Sequence, residues 1–382
     1  MASNRLGEIL ALTTFGESHG PGIGGVIDGF PAGFPVDFEA VQRAMEERAP
    51  GRTPWTSPRK ESDQVEWLSG LLDGRTTGAP IAFWIKNQDV KRESYQTLQS
   101  VYRPGHATWS YLAKYRVFDA AGGGRASARE TAVRVVAGAL AEQWLAGLGV
   151  VCGAYLDQVG TLQGARAMPA GAEEARAWRE QIGASALYAQ DEGFCSQAIA
   201  LLERVMEEGD SLGGVVAAWA VGVPAGWGDP MYQKLEAQLA HAMMSLPASK
   251  GFEMGEGFQA ASMRGSQHND AFVPGKGGGV AWESNHAGGV LAGISTGEPL
   301  FCRTAFKPAS SIRIPTPTCT LSGEATSIGV PPGSRHDPCV AIRAVPVVRS
   351  LLAWTLMEAA LRQRLVPHRV AEERSAMQES LS

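Results

Sequence analysis

The sequence predicts an α+β fold: a layered β-α-α-β sandwich with internal pseudo-two-fold duplication and two long central helices. Two observations point that way. The first is a pair of long apolar helical stretches, residues 127–149 and Val340–Leu365, each set after a run of strands and turns. In the first of them Val133, Val136, Leu140 and Trp144 recur at helical spacing. The second is that the chain repeats itself. Gly24-Gly25-Val26 leading to Pro31-Ala32-Gly33-Phe34 resembles Gly213-Gly214-Val215 leading to Pro224-Ala225-Gly226-Trp227. Thr77-Gly78-Ala79-Pro80-Ile81 resembles Thr296-Gly297-Glu298-Pro299-Leu300, and Arg125 before the first long helix has a counterpart in Arg335 before the second. Each match is weak alone, and it is their shared order that argues for a duplicated β-then-α half. Two such halves, about 1–150 and 205–370, would form a single domain over 1–370 with both long helices in the middle and a site drawn from the ends of both.

In chain order, residues 7–34 read as strand, loop, strand, with His19 in a loop of small residues, Gly16 to Gly22. A helix over Val36–Arg48 opens near Asp37 and carries Phe38, Val41 and Met45 on one side. Residues 49–64 are rich in Pro, Gly and charge and read as a mobile loop. Strands follow around Val65–Leu72 and Pro80–Lys86. Ser127 with Glu130 three residues later reads as a capping box for the first long helix. Residues 160–192, rich in Ala, Glu, Arg and Gln, read as a peripheral helical insertion without chemistry, and 371–382 as a flexible tail. The uncharged run Ser211–Gly228 approaches membrane-spanning length, but five glycines and Pro224 fit a buried strand and turn better.

The bulk properties exclude whole classes. A net charge of −5 over 382 residues argues against a nucleic-acid binder that works by neutralising phosphates. The N-terminal MASNRLGEIL lacks the long apolar region of a signal peptide, so a cytoplasmic protein without a membrane anchor is expected. Five scattered cysteines with no CxxC read as buried, reduced thiols, with no metal site. Walker A, GxGxxG, HExxH and GxSxG patterns are missing, which removes P-loop kinases, ordinary dinucleotide dehydrogenases, zinc proteases and serine hydrolases.

Against this acidic background one stretch is basic. From Arg103 to Thr131 the chain gathers Arg103, His106, Lys114, Arg116, Arg125 and Arg129 around Gly122-Gly123-Gly124, immediately before a helix start. Unpaired first-turn amides and forked guanidinium donors suit a multiply charged anion. The bland alternative is a common glycine turn flanked by solvated arginines. His19 and His106 lie in glycine-containing loops and are candidates for moving protons. His268 and His286 are loop residues at a further remove, and His241 and His368 read as structural or solvated. Lys307-Pro308-Ala309-Ser310-Ser311 supplies a cation, two hydroxyls and backbone amides for a phosphate or the polar edge of a cofactor ring. Asp337 either caps the second long helix or faces the pocket as a proton partner. The residues alone point to an enzyme acting on a phosphorylated small anion, with a phosphate-bearing cofactor.

Four runs together resemble the chorismate synthase family. They are Thr14-Phe15-Gly16-Glu17-Ser18-His19-Gly20, Arg103-Pro104-Gly105-His106-Ala107, Gly122 to Thr131 (GGGRASARET), and Arg335-His336-Asp337-Pro338-Cys339. The resemblance runs from about Leu6 to Leu365. It implies anti-1,4-elimination of phosphate from 5-enolpyruvylshikimate 3-phosphate, with reduced FMN that lends an electron transiently, NADPH as a possible reductant of the flavin, and a homotetramer. An external flavin reductase is expected, since no appended reductase domain is visible. The resemblance further implies His106 beside the departing phosphate, His19 protonating the reduced flavin or its surroundings, and Asp337 near the reactive flavin nitrogen. Arg48, Arg103 and Arg129 would clamp substrate anions, and together with Arg52 they form the set expected to bind substrate or NADP. FMN would touch Arg125, Ala126, Ser127, Pro247, Ala248, Ala292, Lys307, Pro308, Ala309, Ser310, Ser311 and Arg335. The chain departs from the family's pattern at Pro247, where asparagine is usual, at Ala292 in place of a common glycine, and at Pro54, with the nearby arginine shifted to Arg52. The loop at Pro331-Pro332-Gly333 also looks longer than usual. A flavin reductase using the same cradle for net electron transfer is the competing reading, and a non-catalytic anion-binding module is a third.

Overall fold

In the computed structural model, residues 3–56, 62–88, 100–119, 123–275, 279–330 and 337–363 are described. The first half contributes β1 (Arg5–Leu6), β2 (Ala11–Gly16), β3 (Gly22–Asp28), α1 (Phe38–Arg48), β4 (Val65–Trp67), β5 (Leu71–Leu72), β6 (Arg75–Thr76), β7 (Ile81–Lys86), α2 (Thr108–Tyr115) and α3 (Thr131–Ala146). The middle of the chain adds β8 (Val151–Val159), β9 (Leu162–Gln163), α4 (Ala172–Ala184) and α5 (Glu192–Glu208). There follow β10 (Gly214–Val221), α6 (Leu235–Met244), β11 (Ser249–Met254), a short α7 (Gly265–His268), β12 (Phe272–Pro274) and β13 (Val280–Trp282). The rest is β14 (Val290–Leu291), β15 (Ile294–Ser295), β16 (Leu300–Phe306), β17 (Thr316–Cys319), β18 (Ala325–Ile328) and α8 (Val340–Gln363).

Two antiparallel five-stranded sheets have the orders β1-β2-β3-β7-β4 and β9-β8-β10-β16-β11, and α3 and α8 pack on each other between them. The close approach has a cause. A Cβ on Gly138 of α3 would sit 2.2 Å from the Ser350 Cβ of α8, so only glycine lets the backbones meet there. Strands of the first sheet keep the alternation of a half-buried sheet, as in β7 (BiBiBe), where Ile81, Phe83 and Ile85 point inward. Strand β10 is buried almost throughout, and α4 packs on its neighbour β8. The 160–192 region is therefore more than peripheral: Ala175, Ile182, Leu187 and Tyr188 are part of the core.

One turn of each half matches the other hydrogen bond by hydrogen bond. Gly33 N–H donates to Thr76 O (2.7 Å) as Gly226 N–H donates to Ser295 O (2.9 Å). Phe34 N–H donates to Thr76 Oγ1 (2.9 Å) as Trp227 N–H donates to Ser295 Oγ (2.9 Å). The hydroxyls then donate to Pro31 O and Pro224 O, both at 2.6 Å. This register also sets Thr77 against Thr296, through matching bonds to Gly70 O and Gly289 O. It does not support the Gly24-Gly25 match. Those glycines sit inside β3, whereas Gly213 lies just before β10 and Gly214 at its start, so that pair slips by several residues.

Local expectations fare unevenly. Asp37 caps α1, accepting from Ala40 N–H at 2.9 Å. The Ser127–Glu130 capping box is absent: Ser127 Oγ accepts from Arg129 N–H in a 3-10 turn, and Glu130 pairs instead with Arg134 (2.7 Å). Of the cysteines, Cys152, Cys302 and Cys339 are buried thiols, while Cys319 is exposed and Cys195 half-buried. Among the described residues one helix, α8, is long and apolar enough to cross a membrane, and 83% of its apolar window is buried in the protein. Arg335, His368 and the 371–382 tail lie outside the described residues.

Candidate active site

The site is a ring of loops at the ends of both sheets. The β2–β3 turn carries Ser18 and His19, both buried. After β7, Asn87 grips that turn: its Nδ2 donates to Glu17 O (2.9 Å) and Gly20 O (2.8 Å), and its N–H donates to Pro21 O (3.1 Å). Asn87 Oδ1 in turn accepts from Arg129 Nε at 2.9 Å. Behind this lies a buried charge cluster. Asp63 receives Arg48 Nη1 at 3.2 Å and Arg129 Nη1 in a shorter contact, with all three side chains at most 3% exposed. Burial alone would raise the Asp63 carboxyl, but Arg48 and Arg129 outweigh it and hold it below the usual range. Burial, and then Arg343, push Arg48 down to about 9, so it keeps its charge at neutral pH. Arg343 also donates to Arg48 O (3.5 Å) and pairs with Asp337 (3.1 Å), which brings Asp337 to this side.

On the other side of the ring, Arg103 donates to Ser311 Oγ (2.7 Å) and Lys307 Nζ donates to Gly105 O (2.6 Å), joining the 103–107 and 307–311 loops. Burial, helped by Lys250, lowers the Lys307 ammonium from its ordinary value. The His106 ring covers Gly123, where an added Cβ would lie 2.9 Å from its Cε1, and Phe118 meets the same ring edge-on at 5.9 Å. Lys307 N–H donates to Ala248 O (2.9 Å), and Ala248 holds φ +67. Next to it opens a cavity of about 660 Å³ lined by Thr14, Phe15, Tyr111, Arg125, Ala126 and Pro247, among others. Arg125 Nη2 donates to Thr14 Oγ1 (2.8 Å) and Asn4 Oδ1 (3.1 Å), while its buried Nη1 has no hydrogen-bond partner among the described residues.

The loops thus bring together His19, His106, Arg103, Arg125, Ala126, Ser127, Arg129, Pro247, Ala248 and Lys307 to Ser311, with Arg48 and Asp337 behind. Two expected residues stand apart. Arg52 donates to Gly183 O (2.5 Å) and Ser185 O and lies 4.3 Å over the Tyr188 ring, tying α1 to the 160–192 region instead of reaching a ligand. Ala292 forms the β14–β15 turn, whose Gly293 O accepts from Leu235 N–H at the start of α6, while Pro247 follows that helix's end. Ten residues of helix, about 15 Å, separate the two. His286 is bound instead to Asp270 (2.9 Å), with the His268 ring beside it at 5.9 Å. Arg48 and Arg129, at 1% and 4% exposure, lie behind the loops, with donors on Asp63, Thr131, Ala128 O and Asn87, so they brace the site from within. Asp63 and Asn87 were missed because each is a lone polar residue outside any motif.

A family model described as chorismate synthase matches residues 10–361. The chain is 48% identical over 364 residues to the chorismate synthase of Protochlamydia amoebophila, covering 95% of this chain and 99% of that one. It is 49% identical over 362 residues to that of Porphyromonas gingivalis, covering 94% and 96%. A solved structure titled "Crystal Structure of Chorismate Synthase" superposes with a TM-score of 0.74 at 29% identity, covering 94% of this chain and 93% of the other. The chain belongs to the chorismate synthase family, and it is a lyase of the shikimate pathway.

Proposed function

We propose that the chain forms chorismate from 5-enolpyruvylshikimate 3-phosphate by 1,4-elimination of phosphate, with reduced FMN seated in the Arg125 cavity. The observation that carries the flavin is the buried Arg125 Nη1, with no partner among the described residues, in the wall of a cavity of about 660 Å³. Pockets for small ligands run roughly 300–1,000 Å³, so the space suits a flavin nucleotide. Phe15, Tyr111 and Tyr115 give it aromatic walls, and Arg125 gives it a forked donor for phosphate or a polar ring edge.

Bound there, reduced FMN supplies electron density that eases departure of the substrate phosphate without net redox change. The chain's own groups do the rest. In this reading His106, on the loop that Lys307 ties down, gives a proton to the leaving phosphate. Arg103 and Lys307 bring fixed positive charge beside it, where desolvation makes each pairing count. His19, on the β2–β3 turn, would hold a proton for the reduced flavin, and Asp337, paired with Arg343, would set the charge on that side. The three acidic groups of the substrate explain why a chain of net charge −5 concentrates its guanidinium groups here.

The reading extends to a cytoplasmic homotetramer, supplied with reduced flavin by a separate reductase acting with NADPH. The test is anaerobic incubation of the purified chain with substrate and photoreduced FMN. Phosphate and chorismate should appear together, and should fall sharply when Arg125→Met is used at the same flavin concentration. Equal rates with both proteins would remove Arg125 from the flavin site.

A further inference from the structure

We infer that Asn87 is a positioning residue for His19, fixing the β2–β3 turn that carries the histidine. This rests on the reading of His19 as a proton-handling residue. The bonding around Asn87 is complete and directional. Its two amide N–H groups meet two carbonyl oxygens, Glu17 O at 2.9 Å and Gly20 O at 2.8 Å, which bracket Ser18 and His19. Its one side-chain oxygen meets the Nε–H of Arg129 at 2.9 Å. Since carbonyls only accept and a guanidinium only donates, the amide can sit in one orientation alone. A third bond, from Asn87 N–H to Pro21 O (3.1 Å), closes the turn.

The anchor behind it is rigid. Arg129 is held by Asp63, which also holds Arg48, and Arg48 is fixed to Thr131 Oγ1 (3.2 Å) and Ala128 O (3.0 Å). Position is therefore passed from α1 and the start of α3, through one carboxylate and one guanidinium, to a single amide and then to the turn. Aspartate at 87 would fail in a specific way, because a carboxylate oxygen would face two carbonyl oxygens. Alanine would simply release the turn. A group held within about 0.5 Å of its working position loses rate when that support goes, even with the group itself intact.

The experiment is a double-mutant cycle of Asn87→Ala with His19→Ala, with Asn87→Asp as a second variant. Asn87→Ala and Asn87→Asp should each lower kcat about 10- to 100-fold, with KM and FMN affinity changed less than about threefold. In the His19→Ala background Asn87→Ala should cost little more, since the residue it positions is gone. In FMN-free protein, diethyl pyrocarbonate should modify His19 severalfold faster in Asn87→Ala, while the exposed His241 reacts at its wild-type rate. Losses that multiply across the cycle, or unchanged His19 reactivity, would overturn the proposal while leaving His19 in the mechanism. Wild-type turnover in His19→Ala alone would instead sink the underlying reading of the histidine, and the proposal with it.

Discussion

In the proposed reading His106 and Arg125 divide the work of the site, and substitution should separate them. His106→Ala removes a proton donor but leaves the cavity walls untouched, so kcat should fall by about 10²–10⁴-fold with FMN affinity within twofold. Arg125→Ala removes charge-assisted donors of roughly 1.5–3 kcal/mol, so the FMN Kd should rise about 10- to 100-fold. Flavin titration and steady-state kinetics on both variants check the division. Both residues stood out in the sequence because each sits in a glycine-rich basic run whose local chemistry suggests an anion, and the fold puts Arg125 in a cavity wall and the His106 ring over Gly123. Asn87 and Asp63 did not. Asn87 follows an ordinary strand, and Asp63 sits in a stretch that reads as loop, yet the fold buries its carboxylate between two arginines at φ +47. Arg52 shows the opposite case: its neighbourhood resembles a ligand loop, and in the fold its guanidinium bonds the 183 and 185 carbonyls.

At the scale of elements, α3 and α8 are held by a buried network as well as by apolar packing. Arg349 of α8 meets Glu142 of α3 (2.9 Å) and Glu47 of α1 (2.7 Å), and Arg179 of α4 meets Glu142 at 2.5 Å. Burial disfavours the Glu142 charge, but Arg179 and Arg349 overcome it and hold the carboxyl below its ordinary value. A depressed carboxyl contributes stability at pH values above its unfolded pKa and loses it as pH falls through the folded one. Wild-type stability in urea should therefore drop as the solution is taken below about pH 4.5, the unfolded reference for this group. Glu142→Ala should cost roughly 3–5 kcal/mol near neutrality by leaving Arg349 and Arg179 short of a partner, and should flatten part of that acid slope. Gly138→Val should cost a further kind of penalty, since its side chain would enter the space of Ser350. The first helix was legible from apolar periodicity and the second from its long apolar run, whereas the capping of α3 was not. Ser127 and Glu130 have the right spacing, but Arg134 one turn on takes the glutamate, and the chain enters the helix through 3-10 turns.

At the scale of the molecule, the duplicated halves were readable from the Pro-Ala-Gly and Thr-Gly repeats because those residues make turns with fixed hydrogen bonds. The glycine pair in β3 was not a true match, since small residues inside and before a strand look alike in sequence. What the duplication provides is two sheets whose loop ends meet around α3 and α8, so that Thr14 and Arg125 from one half line one cavity with Pro247 from the other, and Gly105 meets Lys307. The central claim is that this shared site spends reduced flavin catalytically. The direct measurement is the ratio of phosphate released to reducing equivalents consumed, taken anaerobically with substrate in large excess over photoreduced FMN. Many phosphates per electron pair, with the flavin still reduced at the end, is the expected result. One phosphate or fewer per electron pair, with flavin oxidised in step, would contradict it and favour a flavin oxidoreductase.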